Sequence, residues 1–469
     1  MFENKRFGRK NNSTISNTEN TIKNANIVVE KAMVSSNANK ISEEKEEKRK
    51  QMYKIQQHLT DELLQSVPMS ELTGKSRQDV ETLILTPLNE IIDNYSAKIG
   101  LDEREHLIND IINEMIGLGP LESLLKRDDI SDIMICGPSK IYIEVNGKIE
   151  LTPIKFRDET QLINTCRRIV SAIGRRVDES SPICDARLAD GSRVAIVAPP
   201  LSPDGTTLTI RKFKKDKLNL DSLINFGSIS PDAARVIQIL SESRCNMLVS
   251  GGTGSGKTTL LNCITKYISP GERIITIEDA MELQLQQPHV VRWETRPPNL
   301  EGKGEVTISD LLKAALRHRP ERIIIGEIRG KEAFDLLQAM NTGHDGSAGT
   351  VHSNSPTEAI SRIESMVAMG GWNLPAAQVR KQIVGSLDVI VQVSRLRDGS
   401  RKVTHITEVV GLEGEVVQLQ DLMKFELEGE HEGKLIGKHK MAGIRPNSIE
   451  KAKYYGLEDE LMKAMQGNN

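Results

Sequence analysis

The segment best suited to chemistry is a glycine-rich stretch, CNMLVSGGTGSGKTTLLNCI, in the second half of the chain. An apolar run, MLV, predicts a strand before the glycines, and a helix-forming run follows them. Gly251 and Gly256 are separated by four residues, and Lys257 and Thr258 come next. This spacing lets backbone N–H groups converge on a phosphate, while the lysine reaches the β- and γ-phosphates and the threonine hydroxyl ligates Mg²⁺. We interpret the stretch as a P-loop rather than an accidental glycine-rich turn, with these nucleotide-binding residues: Gly251, Gly252, Thr253, Gly254, Ser255, Gly256, Lys257, Thr258 and Thr259.

Two apolar runs downstream end in acidic residues that could complete such a site. The first, RIITIEDAMEL, places Glu278, Asp279 and Glu282 just past a predicted strand. The second, RPERIIIGEIRG, has Gly326 where many P-loop enzymes keep a metal-ligating Asp. Glu327 follows it as a candidate base, water-positioning group or Mg²⁺ ligand. The alternative is that these acids only end their strands and have no catalytic role. The P-loop upstream disfavours this alternative.

A third stretch, NTGHDGSAGTVHSNSP, carries two histidines eight residues apart, His344 and His352. Zinc binding would need two further ligands, and only Asp345 is at hand, so the pattern is a weak indication of a metal site. Loop histidines that hydrogen-bond locally are the plainer interpretation of the residues alone.

The elements that would hold these residues follow from composition and hydrophobic periodicity. Amphipathic stretches predict helices, alternating stretches predict strands, and the Asn146-Gly147 pair predicts a β-hairpin. The first fifty residues are rich in asparagine and lysine and have too few apolar residues to form a hydrophobic core, so we predict that they are disordered. The last forty residues are polar and end in one amphipathic helix. We therefore predict an α/β protein divided as follows: a disordered tail, 1–50; a helical bundle, 51–117; a small α+β (PAS-like) domain, 118–213; a linker, 214–230; a RecA-like P-loop domain with a mostly parallel sheet, 231–425; and a C-terminal extension, 426–469.

The overall composition narrows the class of protein. The chain has 469 residues, with 62 Lys and Arg against 65 Asp and Glu. This balance excludes a globally basic nucleic-acid binder. No run approaches the roughly 18 apolar residues of a membrane span, and the N-terminus lacks the apolar segment of a secretory signal. Five widely spaced cysteines without a CxxC pair favour a reducing compartment. We expect a cytosolic, multidomain protein.

The order of the P-loop, EDAMEL, LRHRPERIIIGEIRG and TGHDGSAGTVHSNSP resembles the secretion-traffic ATPase superfamily of type II and type IV secretion and of type IV and Tad/Flp pili. These segments match its Walker A, Asp box, Walker B and His box, with Gly326 as a departure from an Asp-Glu pair. The segments GLGPLESLLKRDDISDIMICGP, PICDARLADGSRVAIVAPP and TLTIRKF resemble the Tad/Flp pilus assembly ATPase branch (CpaF/TadA-type) and related VirB-type proteins. The likeness covers about 51–425, and no tetracysteine zinc module of the type II branch is found.

The resemblance implies a homo-hexameric ring that hydrolyses ATP with Mg²⁺ at the cytoplasmic face of the inner membrane, where it meets membrane platform proteins. It assigns Glu327 to catalysis, Glu278 and Glu282 to the Asp box, and both histidines to phosphate sensing between subunits. Family members also supply arginines to the nucleotide, because a guanidinium meets phosphate oxygens bidentately. The matching candidates are Arg187, Arg193 and Arg211, with Arg317 and Arg319 as further, structural candidates.

Two other classes of protein remain possible from the sequence. A nucleic-acid translocase would share the P-loop, but no basic stripe with aromatic residues supports one, so we expect no nucleic-acid partner. A non-enzymatic nucleotide switch is disfavoured by Glu327 and the full set of motifs. ATP rather than GTP, and Tad/Flp rather than VirB-type secretion, rest on the resemblance alone.

Overall fold

The computed structural model describes residues 52–467 except 53, 64, 68–76, 96–98, 146, 214–217, 299–301 and 373. The predicted disordered tail, 1–50, lies outside the described residues, as does Asn146 of the predicted hairpin. The chain divides into two compact units. The first comprises Met1–Ile143, Glu150–Ala186 and Ala195–Thr209, and the second comprises Glu144–Ile149, Arg187–Val194 and Ile210–Asn469.

The first unit begins with the three helices that the apolar spacing predicts. They are α1 (54–63), α2 (Arg77–Asn94) and α3 (Leu101–Ile116). Each buries one face in a shared core, because apolar residues recur at intervals of three to four. Leu59, Leu88 and Ile111 are fully buried there.

An α+β part follows the three helices. Its helices are α4 (Leu121–Leu125) and α5 (Glu159–Ser171), and its six-stranded sheet has the order β3-β2-β1-β6-β5-β4. A two-residue connection joins β2 to β3, and Gly147 there has φ +79°, which favours glycine. The strands are β1 (Ile130–Cys136), β2 (Ile141–Val145), β3 (Lys148–Leu151), β4 (Ile183–Arg187), β5 (Arg193–Val197) and β6 (Thr207–Arg211).

The second unit contains a nine-stranded sheet of the order β15-β14-β13-β12-β7-β11-β10-β8-β9. The six strands from β12 to β9 run parallel, and β13 to β15 continue the sheet antiparallel. Parallel strands covered on both faces are expected to be mainly apolar and buried throughout, as β7 and β8 are. This arrangement confirms the predicted RecA-like α/β fold.

The strands of this unit are β7 (Met247–Gly251), β8 (Ile274–Glu278), β9 (Val290–Glu294), β10 (Arg322–Ile328), β11 (Ala348–Val351), β12 (Val389–Arg395), β13 (Arg401–Glu413), β14 (Val416–His431) and β15 (Lys434–Met441). The helices are α6 (Leu220–Asn225), α7 (Pro231–Glu242), α8 (Lys257–Thr265), α9 (Ile308–Ala315), α10 (Glu332–Asn341), α11 (Pro356–Met369), α12 (Ala376–Ser386), α13 (Ile449–Tyr454) and α14 (Glu458–Gln466).

Two of the predicted domain boundaries differ from the elements found in the structure. The expected linker, 214–230, contains α6, whose first turn is capped by Asn219 and whose Leu220 and Leu223 are buried in the core. The expected boundary at residue 425 falls inside β14. Within the described residues the expected extension has two helices rather than one, and Leu461 of α14 is buried in the core of the second unit. A short helix or strand that buries only one row of side chains has a polar overall composition. This explains why the two segments were predicted as a linker and as an extension.

None of the described helices combines the length and apolar character needed to cross a membrane.

Candidate nucleotide site

The P-loop follows β7, the central strand of the nine-stranded sheet. β7 ends at Gly251, and α8 begins at Lys257. A side chain at Gly251 would place its Cβ 2.4 Å from the Val393 carbonyl oxygen of the neighbouring strand, so only glycine fits there. Gly254 and Gly256 have φ values of +67° and +101°, in the left-handed region. The glycines thus allow the loop to curl tightly at the carboxyl end of β7.

Lys257 points back across this loop. Its Nζ donates to the carbonyl oxygen of Gly252 at 3.1 Å and lies 3.3 and 3.4 Å from the two ring nitrogens of His352. Only 8% of the residue is exposed, and this burial lowers the pKa of the amine. The ammonium therefore lies where the loop would hold phosphates.

Parallel pairing brings Glu327 and His352 together, because β10 and β11 are neighbours whose carboxyl ends meet at one edge. Glu327 Oε1 lies 2.7 Å from His352 Nε2. Burial and the charge of Lys257 lower the pKa of His352, which favours the neutral ring. Glu327 Oε1 accepts no hydrogen bond from a described residue, so its approach to His352 is a close polar contact, and both ring nitrogens lie within reach of Lys257. The three side chains form a continuous polar chain.

Arg329 is a residue of this site that sequence reasoning missed. Its Nε donates to Glu327 Oε2 at 2.9 Å, and its Nη1 donates to Asp279 Oδ2 at 3.2 Å. Glu327 is thus held from two sides, by His352 and by Arg329. The available signal was an arginine two residues after a candidate base, where extended backbone keeps both side chains on one face.

Glu278 ends β8 and is almost fully buried. Its Oε1 accepts hydrogen bonds from the backbone N–H groups of Glu282 and Leu283, both at 2.9 Å. Its Oε2 has no hydrogen-bond partner among the described residues. Burial raises the pKa of this carboxyl to about 7.

The side-chain oxygen atoms of Thr258 and Glu282 are the ones in this cluster that suit Mg²⁺ as ligands. The Thr258 hydroxyl donates to Glu282 Oε2 at 3.4 Å. No group of three or more His, Cys, Asp and Glu side chains in the described part of the chain could hold a metal ion. This sparse, hard oxygen set fits Mg²⁺, which keeps several waters and binds through one or two protein oxygens and the phosphates of its nucleotide.

Two of the arginines expected to act on the nucleotide reach acids of the second unit, to which Arg187–Val194 itself belongs. Arg187 forms a bidentate pair with Glu294, at 2.8 and 2.7 Å. Arg193 Nη1 donates to Glu282 Oε1 at 2.5 Å. Glu282 therefore links an arginine to the Thr258 hydroxyl. Arg211, at the end of β6, is exposed.

The structure separates three other candidates from this cluster. His344 precedes β11 and His352 follows it, so an extended strand lies between them and they occupy opposite edges of the sheet. The ring of His344 lies against the carbonyl oxygen of Ala339, with Nδ1 3.3 Å away. Arg317 and Arg319 are exposed and precede β10, whereas Glu327 lies at its far end. Sequence spacing alone could not show whether each residue lies at the amino end or the carboxyl end of its strand.

Comparison with known proteins agrees with this arrangement. The family model described as "Type II/IV secretion system protein" matches residues 114–428, more than half of the chain. A Mycobacterium tuberculosis protein named for conjugal transfer is 39% identical over 309 residues, covering 65% of this chain and 87% of its own. The type IV secretion system protein VirB11 of Bartonella henselae is 31% identical over 328 residues, covering 62% and 91%.

Among solved structures, the VirB11 ATPase of the Brucella suis type IV secretion system is 26% identical. That match covers 61% of this chain and 94% of the other, with a TM-score of 0.34. The family model and the sequence relatives confirm the superfamily that the motifs resemble. The chain therefore belongs to the type II/IV secretion system protein family and is an ATP-hydrolysing motor of that family.

Proposed function

We propose that the chain is the motor subunit whose ATP hydrolysis powers pilus assembly or protein secretion at the cytoplasmic face of the inner membrane. The observation that carries this proposal is the polar chain from Lys257 through His352 to Glu327, with separations of 3.3 and 2.7 Å. It connects a phosphate-binding lysine to a carboxylate that can act on water. Family membership supports the same conclusion.

In this proposal Lys257 and the loop N–H groups hold the β- and γ-phosphates. Thr258 and Glu282 would hold Mg²⁺, which supplies charge neutralisation on the phosphates when it is bound. Glu327 accepts the proton of the attacking water, and Arg329 keeps its carboxylate oriented. His352 lies between Lys257 and Glu327, so movement of the lysine onto a phosphate changes the electrostatic surroundings of the candidate base.

Arginines outside the RecA-like domain complete the site in our proposal. Arg187 and Arg193 are paired with Glu294 and Glu282. Such ion pairs between partly exposed groups contribute little stability, so exchanging a carboxylate partner for a nucleotide phosphate costs little. We propose that these arginines, with Arg211, turn to the nucleotide in a homo-hexamer that docks on inner-membrane platform proteins.

The dependence of activity on assembly tests this proposal. A fragment starting near residue 218 keeps the core helix α6 together with Lys257, Glu327 and His352 but lacks the three arginines. We expect it to bind ATP weakly and to hydrolyse it roughly 10³-fold more slowly than the full chain, since arginines of this kind supply about 10³ to 10⁵ in other P-loop enzymes. The measurement is specific activity against protein concentration, with mass from light scattering. Full activity from a monomeric fragment would refute both the arginine roles and the ring.

The Tad/Flp pilus is the first candidate for the machine that is driven, and type IV secretion is the second. The names of the relatives, for conjugal transfer and type IV secretion, favour the second. Replacing the chromosomal gene with the Lys257→Ala form separates them. Loss of surface pili with normal conjugation and secretion would indicate a pilus motor, and the opposite result would indicate a secretion motor.

A further inference from the structure

Two arginines of the β12–β13 hairpin lie beside the P-loop. β12 runs parallel to β7, with Val393 in register with Gly251, so β12 extends past the point where the loop begins. Arg395 ends β12, and Arg401 begins β13 directly opposite it. Both side chains are exposed. The hairpin therefore presents two cations along the outer edge of the phosphate-binding loop.

Arg401 contacts the loop itself. Its Nε donates to the carbonyl oxygen of Gly254 at 2.9 Å. In a planar trans peptide the C=O of one residue and the N–H of the next point in opposite directions. The Ser255 N–H therefore points away from Arg401 and into the loop, where it donates to Gly252 at 3.4 Å. Arg401 thus fixes the orientation of one peptide N–H that a phosphate would use.

The remaining donors of the pair are available to an anion. Arg401 uses one of its five N–H groups for Gly254. No hydrogen bond or ion pair joins the side chain of Arg395 to another described residue, and its Nη2 lies 3.6 Å from the position of a Cβ on Gly147. Like charges directly opposite each other on antiparallel strands destabilise the pairing. The Nη1 of Arg395 is 3.9 Å from the position of a Cβ on Gly254, so this repulsion is located at the loop. A bound polyphosphate would relieve it.

The end of the hairpin is held in place independently of any ligand. Asp398 accepts hydrogen bonds from the N–H and hydroxyl of Ser400, at 3.0 and 2.7 Å, and from the N–H of Leu435 at 2.8 Å. These hydrogen bonds lower the pKa of Asp398 to about 2, so the carboxylate stays charged. The neighbouring Arg397 pairs with Glu430 instead of facing the loop. The two arginines beside the P-loop are therefore presented by an ordered support.

We propose that Arg395 and Arg401 form a second side of the nucleotide site: Arg401 is a positioning residue that orients the Ser255 N–H, and both guanidinium groups bind the polyphosphate. This inference rests on the proposed function, since it places the nucleotide in the P-loop. It differs from the family's arginines in origin, because these two belong to the same RecA-like domain as the P-loop. These two arginines then contribute to nucleotide binding before any other domain or subunit does.

The test uses the full chain and Mg²⁺-ADP as the probe, with binding measured by calorimetry. We expect Arg401→Met to weaken ADP binding about tenfold. Arg401→Lys should weaken it roughly threefold, because a lysine keeps the charge but not the planar guanidinium that binds two oxygens. Arg395→Gln should also weaken it roughly threefold. Arg397→Gln, on the same loop but facing away, is the matched control and should bind like the wild type. Arg401→Met should raise the KM for ATP with little change in kcat, because it contacts no reacting atom.

Two further measurements separate this role from a merely structural one and from failure of the proposed function. The nucleotide-free melting temperature of Arg401→Met should stay the same or rise, since a like-charge pair is relieved; a clear fall would overturn the proposal. ADP affinity within about twofold of the wild type in Arg401→Met would overturn it as well, when Lys257→Ala abolishes binding. A wild-type protein that does not bind ADP would overturn the proposed function and this inference together.

Discussion

Glu327 is held by two opposing partners, His352 at 2.7 Å and Arg329 at 2.9 Å. This arrangement separates nucleotide binding from chemistry, because the hydrogen bonds of the Glu327 carboxylate with described residues go to Arg329 and not to the P-loop backbone. Glu327→Gln keeps the size of the side chain but cannot accept a proton. We expect ATP to bind with near wild-type affinity while turnover falls roughly 10²- to 10⁴-fold.

Equilibrium binding and steady-state turnover of the same preparation check this expectation. The control is Glu428→Gln, an exposed acid that pairs with Lys438 on the antiparallel part of the sheet. It should change neither quantity. A loss of nucleotide binding in Glu327→Gln would make Glu327 a residue for metal binding or folding and not the base.

Glu278 gives the site a pH dependence. The folded protein keeps the proton up to about pH 7, whereas the unfolded chain releases it near the ordinary value of 4.5. The stabilising contribution is therefore complete below the unfolded pKa and is lost as the pH rises through 7. Glu278→Gln is neutral throughout. Relative to the wild type it should gain stability between about pH 5 and about pH 8, on the order of 3 kcal/mol.

Urea unfolding of the nucleotide-free protein at both pH values measures this difference. Exposed Glu305→Gln serves as the control and should follow the wild type at each pH. Parallel curves for the wild type and Glu278→Gln would show that burial does not raise the pKa of this carboxyl.

Local spacing in the sequence was sufficient to predict candidate residues at this cluster. Lys257 and Thr258 follow from the glycine pattern, and Glu327 follows from a strand that ends in an acid. Arg329 was missed although its partner Glu327 is only two residues away, and Arg401 was missed because it acts on a loop carried by another strand. Arg401 is distant from Gly254 in the chain, and only the pairing of β12 with β7 brings the two together.

The order of strands decides which predicted residues meet. β7, β10 and β11 are parallel and close in the sheet, so residues that follow their carboxyl ends gather at one edge. His352 follows β11 and joins them, whereas His344 precedes it and does not. The predicted pair of histidines could not be resolved from the sequence, because a Gly- and Ser-rich stretch does not show where its strand begins and ends.

The C-terminal elements are part of the ATPase unit and not an appendage. α14 packs against α7, and Leu461 is fully buried in the core around the P-loop strand. Glu408 of β13, itself buried, accepts hydrogen bonds from the backbone N–H groups of Asn447 and Ser448. These contacts tie residues beyond 425 to the sheet. The polar composition of the last forty residues concealed them.

Truncation of one buried side chain tests this packing. Leu461→Ala should lower the free energy of unfolding by about 2–5 kcal/mol, the usual cost of removing a buried leucine side chain. Exposed Lys463→Ala, on the same helix, should cost less than about 0.5 kcal/mol. Denaturant unfolding of both variants provides the comparison. Equal stability of the two would mean that α14 does not contribute to the core.

Across the described part of the molecule, the residues of the site come from the second unit. We predict that deleting residues 1–50 leaves turnover per subunit unchanged, since the sequence of this polar stretch carries none of the motifs of the site. Turnover and light-scattering mass of the shortened protein check this. A loss of activity together with a loss of assembly would assign the tail to the interface between subunits.

Composition and hydrophobic periodicity were enough to predict the order of the segments, because the helical bundle, the small α+β part and the P-loop domain differ in their hydrophobic patterns. The boundaries were less predictable. The segment 187–194 is close to the α+β strands in sequence but clusters with the second unit, and β14 crosses the expected end of the ATPase domain. Long-range packing decides such boundaries, and local sequence does not reveal it.

Mg²⁺-dependent ATP hydrolysis by the full chain, compared with Lys257→Ala, is the most direct test of the proposed motor. Lys257 lies at the loop carbonyl of Gly252 and beside His352, so its removal eliminates a charge that stabilises the transferring phosphate. We predict that turnover falls roughly 10²-fold or more, as expected when a charge-stabilising contact is lost from a transition state. Retention of more than about half of the wild-type rate would contradict the assignment of the P-loop as the catalytic site.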